Sequence, residues 1–336
     1  MTKRTSLFYV SSCLAGIISG PLQEWLLQEF RRNNDTGMGW GGLEPFKCMF
    51  VVDAIISCPI GLYTLLVNPN TPTTTDAWYF SDQDKLVALE RYKRMQREAS
   101  ERGDTNGSST STKSLGYRDL FKSWHIFVFP LMFLCFHHSG WAIGQPTFQT
   151  WMKYDLKLPS SKYNFFPAVM SGINMVVSVL CSFANDYFGN GQTNHYFILG
   201  CFTIFGTAST LLYIWEIPTW LHWCAYFMIG CTHSTPPPLI FSWLNRLLAN
   251  DEYKRGSLIF ATNTVAYFTS SWLQILVWNA ADAPRYHTGF LFTIIICILG
   301  FGFTSAATYF TYHDHQKSHQ HDPEDEDSLP LLATND

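Results

Sequence analysis

The chain has 336 residues, of which 47% are hydrophobic and only 14% charged, whereas a soluble domain carries about 25% charged residues. The net charge of −4 says little by itself, nucleic-acid binding is not indicated, and nine cysteines without a CxxC pair suggest neither a zinc site nor a disulfide framework. Mean hydropathy is only +0.01 because two polar regions, 68–123 and 313 onward, dilute strongly apolar stretches.

Eight such stretches follow one another, at 7–27, 46–67, 125–149, 164–183, 196–215, 220–242, 257–278 and 289–312. A membrane-crossing helix needs roughly 20 mostly apolar residues. The expected fold class is therefore an all-α membrane protein with eight transmembrane helices. The first stretch begins after Lys3 and Arg4 but carries Gln23 and Glu24 and no small-residue cleavage site, so it reads as a span and not a signal peptide. Two spans (1–67) precede a polar loop (68–123), six more fill 124–312, and an acidic tail (313–336) is expected to be disordered.

Within the loop, Leu86, Leu89 and Met95 recur at helical spacing among charges, and Ser81 is a suitable N-cap. This predicts an amphipathic helix over 82–101, followed by a Gly/Ser/Thr linker over 103–112. The loop holds Lys85, Arg91, Lys93, Arg94, Arg97, Arg102, Lys113, Arg118 and Lys122, which places it and both termini on the cytosolic side by the positive-inside rule.

Polar groups at membrane depth mark function by default. In the third span these are His137 and His138, then Trp141 and Gln145; adjacent helical residues diverge by about 100°, so one histidine at most faces a given cavity, and His138 is the candidate. Asn174 in the fourth span sits beside Ser171 and Gly172, a face suited to helix packing. The sixth span contains His233-Ser234-Thr235-Pro236-Pro237-Pro238. Three consecutive prolines must interrupt the helix, and interrupted helices are where transporters place binding sites. His233 and Ser234 are thus cavity candidates, and Pro236, Pro237 and Pro238 gating candidates. In the seventh span Asn263 and Tyr267 share one face.

Several short segments in this order carry a resemblance: Lys3-Arg4-Thr5-Ser6-Leu7-Phe8-Tyr9, Asp76-Ala77-Trp78-Tyr79-Phe80-Ser81-Asp82, Phe241-Ser242-Trp243-Leu244-Asn245 and Asp282-Ala283-Pro284-Arg285-Tyr286. Together they resemble fungal vitamin transporters of the pantothenate type, in the anion:cation symporter branch of the major facilitator superfamily. The resemblance implies a partial major facilitator fold. Its spans are equivalent to helices 5–12 of twelve, so that 1–67 supplies the last two helices of the N-terminal half and 124–312 the C-terminal half. It also implies a plasma-membrane carrier that takes up a small organic anion such as pantothenate together with protons. No cofactor is implied beyond the proton gradient, and the partners are the anion, protons and the lipid bilayer. By the same resemblance Asp186 matches a carboxylate that latches the cytosolic end against basic residues. The loop from 184 holds no Arg or Lys up to His195, which predicts a weakened latch. The alternative is a truncated, transport-inactive membrane protein, either a partial gene product or an assembly partner. An enzyme finds no support, since HExxH, GxSxG and phosphate-loop motifs are all missing, and no metal site is expected.

Overall fold

A computed structural model describes residues 2–33, 45–70, 73–75, 77–103, 121–140, 147–188, 193–248 and 251–321. Among them there are helices and turns and no strand. This is what a bilayer demands of a spanning chain, because a helix satisfies its own backbone polar groups. The helices are α1 (Thr2–Asn33), α2 (Pro45–Val67), α3 (Asp82–Gly103), α4 (His125–Ser139), α5 (Thr147–Tyr154), α6 (Ser160–Phe188), α7 (Asn194–Ile214), α8 (Thr219–Thr232), α9 (Pro236–Leu247), α10 (Glu252–Val277) and α11 (His287–His321).

Five segments are single helices long and apolar enough to cross a membrane: Thr5–Leu26, Lys47–Val67, Ser160–Phe188, Asn194–Ile214 and His287–Asp314. They carry the predicted first, second, fourth, fifth and eighth spans. Of the third, α4 runs to Ser139 and α5 covers Thr147–Tyr154, while 141–146 lie outside the described residues. The sixth is split into α8 and α9 where the prolines begin. The seventh is α10, continuous but threaded with polar side chains. The last helix continues beyond 312, where a disordered tail is expected, as far as His321. Residues 322–336 lie outside the described residues, as do 104–112 of the expected linker.

Two compact units divide the chain, Pro21–Ser114 and the remainder, Met1–Gly20 with Leu115–Asp336. In the first, Leu26 and Cys48 are buried with Leu22, Met49 and Val52 around them. The α3 helix begins with a reciprocal cap. Ser81 Oγ accepts from Asp84 N–H at 3.2 Å and donates to Asp84 Oδ2 at 2.7 Å, while Ser81 N–H donates to the same carboxylate at 3.2 Å. Two of the backbone donors that a helix start leaves unpaired are thereby satisfied.

In the larger unit the core is a continuous cluster that includes Phe129, Met132, Phe205, Tyr226, Ile229, Leu239 and Phe290. Around it α11 packs against α7 and α4, α10 against α4, α8 against α7 and α6, and α9 against α7 and α4. The N-terminal part of α1 joins this unit through small residues. A Cβ on Gly16 would stand 2.7 Å from Ser171 Oγ, and one on Gly20 would stand 2.7 Å from the Asn164 carbonyl oxygen. Only glycine admits that approach, and between helices in lipid such close packing supplies much of the attraction.

Candidate functional site

The site is built around the interruption between α8 and α9. The α8 helix stops at Thr232 and the prolines occupy the first turn of α9. Proline is at home there, since the first turn of a helix has no intrahelical partner for its N–H groups. The intervening Ser234 is left with backbone groups to satisfy at a buried position. Asn174 of α6 supplies the answer. Its Oδ1 accepts from Ser234 N–H at 3.0 Å and its Nδ2 donates to Ser234 Oγ at 2.8 Å. One turn further along α6, Ser178 Oγ donates to the Ser234 carbonyl at 3.0 Å. Cys13 of α1 completes the group, its thiol 3.3 Å from Ser234 Oγ. The amide of Asn174 thus stands in for the missing turn of helix. Asn174, read from sequence as a packing residue, is the clamp of the interruption.

His233, next to Ser234, turns toward the end of α4. Its ring stacks on Phe136 with centroids 5.6 Å apart, and the space it fills is the one a Cβ on Gly140 would occupy. Gly140 has φ −70° and ψ −15°, a conformation open to any residue, so it is the imidazole and not the backbone that requires a glycine. The end of α4 and the break between α8 and α9 therefore meet at Gly140 and His233. The His233 Nδ1 is shielded from solvent and has no hydrogen-bond partner among the described residues.

The other two histidines diverge as helical geometry dictates. His138 is buried, its Nε2 2.9 Å from Thr269 Oγ1 of α10. The Thr269 hydroxyl already donates to the Val265 carbonyl at 2.8 Å, so His138 Nε2 is assigned as the donor. His137 faces Tyr267 of α10, ring centroids 4.8 Å apart, with Phe133 at 6.2 Å. The Tyr267 ring is 59% exposed and forms the open edge of the group. Asn263, one turn earlier, donates its Nδ2 to the Ile259 carbonyl at 2.9 Å and keeps its amide oxygen for other partners. Tyr9 of α1 stacks on Phe241 of α9 at 6.4 Å.

The structure thus brings His138, His233, Tyr267, Asn263 and Ser234 onto the helices around the interruption. Trp141 and Gln145 lie outside the described residues. His137, Gly140 and Thr269 are the members that sequence reasoning passed over.

A second polar group lies at the far end of α6. Asn185 Nδ2 donates to Asn194 Oδ1 at 2.5 Å, Thr193 Oγ1 donates to Asn185 Oδ1 at 2.9 Å, and Asn194 Nδ2 donates to the Leu239 carbonyl at 2.9 Å. This ties the turn between α6 and α7 to α9. Near it on α6, Asp186 is within electrostatic reach of Arg246 of α9: burial pushes the pKa of the guanidinium down, and the Asp186 carboxylate pushes it back up. The expected weakening of the latch counts the loop alone, and Arg246 stands outside that loop. Asp186→Asn and Arg246→Gln are each expected to change the transport rate several-fold. In a double-mutant cycle they should show a coupling of about 0.5–1 kcal/mol, the scale of a partly solvated pair. Additive effects would mean that the two charges do not act together.

Long apolar helices, one of them broken at a buried position and clamped there by side chains of its neighbours, describe a multi-pass membrane bundle. The Major Facilitator Superfamily profile matches residues 2–273, and the chain belongs to that superfamily. It is 24% identical over 314 residues to Pantothenate transporter liz1 of Schizosaccharomyces pombe, covering 94% of this chain and 57% of that protein. It is 23% identical over 325 residues to the Vitamin H transporter of Saccharomyces cerevisiae, covering 95% of this chain and 51% of the relative. Pantothenate transporter FEN2 of the same yeast is 21% identical over 296 residues. The chain spans about half the length of the curated relatives it matches.

Proposed function

We propose that this chain carries out proton-coupled uptake of a small organic anion, pantothenate or a related carboxylate vitamin, across the plasma membrane, with both termini cytosolic. The observation that supports it most is the meeting of the α4 and α8 ends at Gly140 and His233, which places a shielded imidazole beside backbone freed from helical bonding. Transporters use such interruptions to hold substrate and coupling ion. Likeness to carriers named for pantothenate and vitamin H points to the substrate class. Asp186, Pro236, Pro237 and Pro238 would serve the gate and His138, His233, Asn263 and Tyr267 the cavity, with Ser234 held in the clamp at its edge. The chemistry needs no cofactor.

The test is uptake of labelled pantothenate by cells that lack their own carrier, with and without a proton gradient. Uptake should fall at least several-fold when the gradient is collapsed. Gradient-independent accumulation, or none at full surface expression, rejects the proposal and leaves an assembly partner as the better account.

A further inference from the structure

The six spans of the larger unit share a property that the histidine geometry explains. Across 125–149, 164–183, 196–215, 220–242, 257–278 and 289–312 there is no Asp, Glu, Lys or Arg. A carboxylate moved into this half of a bundle meets no fixed positive charge, and an ionised carboxylate in an apolar interior without a partner costs many kcal/mol. The only side chains in these spans that can become cationic in the physiological range are histidines, at 125, 137, 138, 222 and 233. His125 and His222 lie toward the span ends, where His125 contacts Ser123 and His222 stacks on Trp151. The other three lie where the end of α4 meets the break between α8 and α9. The rings of His137 and His138 are 5.9 Å apart, and His233 stacks on Phe136, the residue before His137.

We infer that His137, His138 and His233 form one proton-accepting site on which the carboxylate of the transported anion is bound, so that proton and anion load together and this half cannot hold the anion without the proton. The inference rests on the reading of the protein as an organic-anion carrier. In the loading step a proton adds to an imidazole nitrogen, giving an imidazolium that pairs with the carboxylate; no covalent bond to the anion forms or breaks. Neighbouring imidazoles share one added proton in preference to several, because nearby like charges disfavour one another. His233 Nδ1, shielded and without a hydrogen-bond partner among the described residues, is a nitrogen ready to receive it.

The groups around the cluster add no competing charge. From α10 it is faced by the Tyr267 phenol and the Thr269 hydroxyl, and from α11 by Phe292. Phe136 and Phe133 face it from α4 itself, where Cys135 is buried against the neighbouring core. The Tyr9 phenol of α1 is in electrostatic reach of Tyr267, and Cys297 of α11 is in reach of Cys135. The phenols and thiols are neutral at physiological pH.

The test uses the full chain, purified in detergent, with pantothenate as the probe. Calorimetry in buffers of different ionisation enthalpy counts protons taken up on binding. About one proton per pantothenate is expected at pH 7.5, with affinity falling about tenfold per pH unit above the pKa of the cluster, as one-proton linkage requires. His137→Gln and His233→Gln should flatten that slope. His138→Gln preserves a donor toward Thr269 and should retain folding, so its effect on the slope separates charge from packing. Pantothenate binding without proton uptake by the unaltered protein overturns the inference, whether or not any variant folds, and leaves the carrier reading intact. A protein that binds neither pantothenate nor any other small carboxylate at any pH rejects both.

Discussion

Replacing Asn174 by leucine is expected to abolish transport while the protein still inserts, whereas Ser234→Ala leaves most of it. The contrast follows from which atoms each change orphans. Asn174 is 6% exposed, and its amide is the partner of both the Ser234 N–H and the Ser234 hydroxyl. With leucine in its place the N–H is buried with nothing to accept it, at a cost of about 1–3 kcal/mol, and the hydroxyl loses its donor as well. Helix-to-helix hydrogen bonds in membranes average about 0.6 kcal/mol because the separated state finds other partners. That discount applies less to a backbone N–H at an interruption, which has no helical alternative. Ser234→Ala removes only the hydroxyl; the backbone bonds to Asn174 and Ser178 remain, and Asn174 Nδ2 still has the Cys13 sulfur at 3.8 Å. The measurement is initial uptake rate normalised to surface protein. At least a tenfold loss is expected for Asn174→Leu and less than threefold for Ser234→Ala. A Ser234→Ala loss as deep as that of Asn174→Leu would show that the hydroxyl itself meets substrate and that the clamp is not what matters.

Asn174 also shows where sequence reasoning reaches and where it stops. The positions of the spans are legible because apolarity over about 20 residues has one cheap solution in a bilayer. The interruption in the sixth span is legible because Pro236, Pro237 and Pro238 cannot continue a helix. What satisfies the freed backbone is not legible. Asn174 lies sixty residues before Ser234, and its role depends on the depth and rotation of α6, which the close approach of small residues sets and no periodicity encodes. The same limit separates Asp186 from Arg246: both residues are visible in the sequence, but their electrostatic reach across α6 and α9 is set by packing. Among the histidines, sequence selects His138 for a cavity by its depth. In the structure His138 points to Thr269 and His137 to the exposed Tyr267, because a rotation of about 100° exchanges the two roles.

Gly140 carries the other large effect. Gly140→Ala is expected to lower the melting temperature of the purified protein by several degrees and to reduce uptake at least tenfold. The added Cβ falls on the His233 ring, and the ring has no easy retreat. It stacks on Phe136 on one side and is anchored through the clamped Ser234 on the other. Overpacking of this kind costs about 1–3 kcal/mol where neighbours can shift, and more where they cannot. The steric origin can be isolated by a second substitution. In Gly140→Ala with His233→Ala the obstruction is gone, so the melting temperature should recover most of its loss and the cycle should show a coupling of at least 1 kcal/mol. Uptake should not recover with it, because the imidazole itself is absent. Recovery of both would mean that His233 only fills space between the end of α4 and the break between α8 and α9. Recovery of neither would mean that Gly140 acts through the chain that follows it and not through the histidine across from it.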